Sequence, residues 1–87
     1  MQRIDITGII MVHNWSADGK VIQVAIYTDK EEVYLVEHNR QARELLKHIN
    51  RKARVKGKKT ERLDGKQYIG VQNFFILEEE IANVENF

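Results

Sequence analysis

Few side chains in this 87-residue sequence have a type and spacing suited to covalent chemistry. Ser16 is the only serine, and no histidine or acid accompanies it in a recognisable motif. His13, His38 and His48 lie 25 and 10 residues apart, which is not a metal-ligand spacing. His48 falls beside an apolar stripe and reads as a boundary residue rather than a ligand. Glu31-Glu32 and Glu78-Glu79-Glu80 read as solvated runs at strand ends, not as an acid–base pair. Residues 52–59 hold one glycine, so there is no phosphate loop. Cysteine is absent, which excludes disulfides, thiol catalysis and Cys-ligated zinc. The expectation is a protein without enzymatic activity, cofactor or metal.

Charge and aromatic residues offer more. The net charge of +1 conceals a separation. Residues 40–66 carry eleven Lys and Arg against three acidic side chains, and the rest of the chain carries three against ten. A polyanion-facing side on an acidic body has this signature. A solvated helix face plus a lysine-protected edge strand has it too. The densest part is residues 51–77, where two strand-like runs flank an Asp64-Gly65 turn. Trp15, Tyr27 and, if it faces outward, Tyr34 are the aromatic groups on which bases can stack. Lys20, Arg54, Lys56, Lys58, Lys59, Arg62 and Lys66 are the cations for a phosphate backbone. Each has a plainer reading. Trp15 folds back as a lid, Tyr27 packs on a neighbouring strand, and Arg54, Lys56 and Lys58 face only water. Tyr68 and Phe74 read as core or edge packing. Glu31, Glu32 and Glu37 near the expected groove count against a polyanion there.

These residues need a scaffold, and period-two alternation supplies most of it. Ile4, Ile6, Gly8, Ile10 and Val12 mark the first strand, with Ile9 and Met11 apolar on its second face. Gly8 lets so long a strand bend and serve two neighbours. Residues 13–20 form a loop turning at Asp18-Gly19. In Val21–Thr28, Ile22, Val24 and Ile26 share one face, and Gln23, Ala25 and Tyr27 the other. Residues 33–37 are a third strand, apolar on both faces. Asn39 then caps a helix of about three turns, in which Ala42, Leu45, Leu46 and Ile49 form one stripe and Asn50 is the stop. Ala53, Val55 and Gly57 alternate with Arg54, Lys56 and Lys58 in the fourth strand. Residues 68–77 are the fifth, with Ile69 and Val71 in phase. Residues 78–87 are an acidic tail, or a last amphipathic turn through Ile81, Val84 and Phe87.

The order β-β-β-α-β-β over residues 1–77 predicts an all-β domain with one short helix, a five-stranded OB-fold β-barrel. The competitor is an SH3-like barrel, which the helix after strand three argues against. The runs I-T-G-I-I, D-G-K-V-I-Q-V, N-R-Q-A-R-E-L-L-K-H-I-N-R-K-A-R-V-K-G and D-G-K-Q-Y-I-G-V-Q-N-F-F-I-L carry a resemblance. They are similar to small single-domain bacterial OB-fold proteins, the tRNA-anticodon-binding-like and bacterial OB-fold groups. The resemblance spans about residues 4–77 and rests on fold signals, so it implies the barrel more than any activity.

OB-folds bind on the face of strands two and three, between the one-two and four-five loops. The expected function is weakly sequence-specific binding of single-stranded DNA or RNA there, with the basic hairpin steering the polyanion. The alternative is a protein- or small-ligand-binding module, using strand three or the Ile81/Val84/Phe87 tail. No apolar run is long enough for a membrane span, and residues 1–8 lack the apolar core of a signal peptide. A cytoplasmic location is expected, or a periplasmic one if a leader has been removed.

Overall fold

The computed structural model describes residues 2–77. Five strands close into one barrel in the order β1-β2-β3-β5-β4, with β4 returning to pair with β1. The strands are β1 (Gln2–Trp15), β2 (Val21–Thr28), β3 (Val33–Val36), β4 (Lys52–Glu61) and β5 (Gln67–Ile76). Helix α1 (Arg40–Leu45) and a 3-10 turn (Leu46–His48) lie between β3 and β4. All neighbours are antiparallel except β3 and β5. This is the OB-fold-like barrel that the element order predicts. The acidic tail or turn expected over 78–87 lies outside the described residues. Among the described residues, no helix is long and apolar enough to cross a membrane.

Strand β1 closes the barrel by serving two partners. Its first half pairs with β4, from Gln2↔Lys59 to Ile9↔Lys52. Its second half pairs with β2, from Gly8↔Thr28 to Trp15↔Val21. The two ladders overlap at Gly8 and Ile9. A Cβ at Gly8 would run into the carbonyl of Tyr27, so only glycine lets β2 approach this closely.

The inward residues of each strand meet in one core. Ile10, Val24, Ile26, Tyr34, Val36, Leu45, Ala53, Val55, Ile69 and Val71 are all buried in it. Leu45 brings α1 onto one end of the barrel, with Ala42 and Ile49 packed alongside. The Asn39 side chain accepts a hydrogen bond from the Ala42 backbone N–H at 2.9 Å and caps the helix as expected. Its amide also donates to the Val71 carbonyl at 3.2 Å, tying the cap to the sheet.

Three expectations about this frame need correction. The helix is not three turns long; six α-helical residues give way to a 3-10 turn. Leu46 leaves the apolar stripe and is 40% exposed. Ile22 also leaves its face, because register shifts at Asn14 and Trp15 set Val21 opposite Trp15 and turn Val21, not Ile22, toward the core.

Candidate functional site

The outer surface of β2 and β3, between the one-two and four-five loops, is the face to which the sequence assigns the site; β1 and β5 flank it. Tyr34 and Val36 belong to the core, so alternation turns Val33 and Leu35 to the outer side of the sheet, where Val33 is exposed and Leu35 remains buried. Pairing aligns Met11, Ala25, Leu35 and Tyr68 in one row across four strands. Ile9, Tyr27 and Val33 form the next row. A cleft of about 330 Å³ runs over these rows, lined by His13, Tyr27, Val33, Leu35, Gly65, Lys66 and Gln67. Its floor is apolar. The four-five turn at its rim closes through the Arg62 N–H donating to the Glu61-following loop's Lys66 carbonyl at 3.2 Å, with Gly65 at φ 83°.

The predicted aromatic platforms separate cleanly. Tyr27 is 39% exposed and lines the cleft. Trp15 is 57% exposed at the end of β1, so it is not a lid on the barrel, and it does not line the cleft. Tyr34 is not a platform. Its ring is 5% exposed within the core, and its hydroxyl donates to Glu32 at 3.4 Å. Burial, and then the Glu32 charge, push the phenol's pKa upward.

The cations divide between two surfaces. Lys66 lines the cleft, and Lys20 is exposed in the one-two loop. Arg62 stands at the base of the four-five turn, its guanidinium 3.9 Å from the centroid of the Tyr68 ring. The same guanidinium donates to Glu37 at 3.2 Å. Arg54, Lys56 and Lys58 do not line the cleft; they lie on the outward phase of β4, between β1 and β5. Arg54 is held by Asp5 through two hydrogen bonds, at 2.9 and 2.7 Å. Lys56 lies 5.9 Å from the centroid of the exposed Phe75 ring. Lys59 is half-buried and falls on the inward phase of β4, opposite Ile69. Lys20, Lys58, Lys59 and Lys66 make no ion pair among the described residues.

The acidic groups are also sorted. Glu31, at φ 65°, and Glu32 belong to the β2–β3 turn beyond the cleft floor. Glu37 is engaged by Arg62. The three histidines lie apart: His13 on the cleft, His38 on a groove between β2 and α1, and His48 with its ring 6.0 Å from Phe74. Ser16 donates to Asp18 within the one-two turn, and that bond holds the Asp18 carboxyl below its usual range.

Tyr68 is assigned by the sequence to core or edge packing and not to the site. It is half-buried and faces outward beneath Arg62, not into the core. The signal was present, since Ile69 and Val71 turned inward require Tyr68 to turn outward. Phe74, by contrast, packs against the core as expected. Comparison of the chain with protein-family models, curated proteins and solved structures finds no match.

Proposed function

We propose that this barrel is a non-enzymatic binding module for single-stranded nucleic acid, with weak sequence preference. The observation that carries the reading is the cleft itself. It sets an exposed aromatic face, Tyr27, over an apolar floor of Val33 and Leu35, with Lys66 on the rim. Bases stack on aromatic faces regardless of sequence, and cations alongside track the phosphates. Lys56 and Lys58 stand outside the cleft, where they raise the local potential and steer a polyanion. The OB-fold-like order of the barrel supports the same location.

The test is fluorescence anisotropy of labelled single-stranded DNA and RNA at two salt concentrations. Binding that weakens as salt rises, and that Tyr27→Ala reduces, supports the proposal. Unchanged anisotropy at low salt with both strands sinks it.

One observation favours a second reading, a protein-binding module. Ile22 and Leu46 are exposed and, with Val24, Val36 and Ala42, line a groove of about 280 Å³ between β2 and α1. Self-association abolished by Leu46→Asp would support that reading.

A further inference from the structure

We infer that Tyr68 is a second base-stacking position in the cleft, covered in the free protein by Arg62 and opened by phosphate. The inference rests on the nucleic-acid reading of the cleft. Tyr68 continues the outward row of Ala25 and Leu35. It lies two strands from Tyr27, about 10 Å across the sheet. Yet the cleft stops at Gln67. The Arg62 guanidinium, 3.9 Å from the ring centroid, covers a face of Tyr68 on which a base would stack.

Glu37 holds that cover in place. Its carboxylate accepts from Arg62 at 3.2 Å. It lies over Gly70, 3.2 Å from where a Cβ would stand, so a bare backbone leaves the carboxylate its seat. A single-stranded nucleic acid replaces both contacts of Arg62 in kind. A phosphate takes the guanidinium from Glu37, exchanging one charge-assisted pair for another. A base then takes the place of the guanidinium on Tyr68, exchanging a cation–π contact for a stack. A polyanion without bases replaces only the first and leaves the ring bare. The cover therefore favours ligands that bring a phosphate and a planar ring together.

The experiment compares a single-stranded oligothymidylate with an abasic deoxyribose-phosphate strand of equal length, by anisotropy at one salt concentration. The wild type is expected to prefer the base-bearing strand. Tyr68→Leu should weaken that strand about fivefold to a hundredfold, the range for loss of one base–aromatic stack, and should not weaken the abasic strand, which no longer has to uncover a ring. Glu37→Gln, which releases Arg62 and removes a carboxylate, should tighten the base-bearing strand. In NMR spectra of the wild type, contacts between the Arg62 side chain and the Tyr68 ring should vanish on saturation with oligothymidylate. Persistence of those contacts in the complex, or an unchanged preference in Tyr68→Leu, overturns the cover while leaving the cleft reading intact. Failure of the wild type to bind either strand overturns both.

Discussion

Arg54 grips Asp5 across the β1–β4 seam with two parallel hydrogen bonds, at 2.9 and 2.7 Å. The two residues are 49 positions apart, so the pair forms only when the barrel closes. It also removes from the cationic face of β4 a charge that the sequence alone would assign to ligand binding. Both side chains are substantially exposed, and solvent screens the attraction. Its geometry nevertheless leaves a mark on the carboxyl. The hydrogen bond from Arg54 outweighs the opposing desolvation and, with smaller contributions from the charges of Arg54 and Lys56, holds Asp5 below the ordinary aspartate range.

The pH dependence follows from that direction. A carboxyl whose folded value is depressed contributes stability above its unfolded value and loses it as pH falls through the folded one. Asp18, depressed by the Ser16 hydroxyl, acts with the same sign. Urea midpoints should therefore be flat near neutrality and fall below about pH 4. In Asp5→Asn the acid fall should be shallower. An identical acid limb in wild type and variant would show that the pair does not form in solution.

Gly8 is the position most sensitive to a single added methyl. A Cβ there meets the Tyr27 backbone carbonyl, and neither strand can yield without disturbing a ladder. Gly8→Ala should destabilise by about 1–3 kcal/mol or more, the range for forced overpacking. Chemical denaturation gives the number. A loss under about 0.5 kcal/mol, typical of surface changes, would place the β1 bend elsewhere.

Trp15 supplies an optical check. At 57% exposed, its indole should be quenched by acrylamide nearly as readily in the folded protein as in urea. Trp15→Phe should leave the unfolding free energy from urea titration within about 0.5 kcal/mol of wild type. A strongly protected indole would restore the lid reading.

Alternation in the sequence was enough to find the five strands, their order and most of the core, because a period of two follows directly from the pleat. The dual pairing of β1 was legible too, through Gly8 within an overlong strand. Side-chain direction failed where the pattern was uniform. In β3 every residue from Val33 to Val36 is apolar, so only the barrel reveals that Tyr34 points inward and Leu35 outward. It failed again at Ile22, where register shifts between β1 and β2 break the phase. The charge pattern misled for a different reason. Counting cations along β4 cannot show that Asp5 waits on the neighbouring strand. Nor could the composition show Arg62 folded onto Tyr68, since that contact joins the four-five turn to a strand whose outward phase carries a single aromatic before Phe75.

The two groups of cations should separate in salt titrations. A side chain that neutralises a phosphate releases counterions, and its removal lowers the slope of log K against log salt by about 1. Lys66 lines the cleft and has no ion-pair partner among the described residues, so Lys66→Ala should reduce affinity and slope together. Arg54 already has its carboxylate, so Arg54→Ala should leave both nearly unchanged. Lys58 lies between these cases, unpaired among the described residues but on the outer wall. Lys58→Ala should slow association without altering dissociation, because a charge outside the contact acts on the encounter. Stopped-flow rates with a labelled single strand distinguish the three. Equal loss of affinity in Arg54→Ala and Lys66→Ala would move the contact surface from the β2–β3 cleft to the wall of β1, β4 and β5.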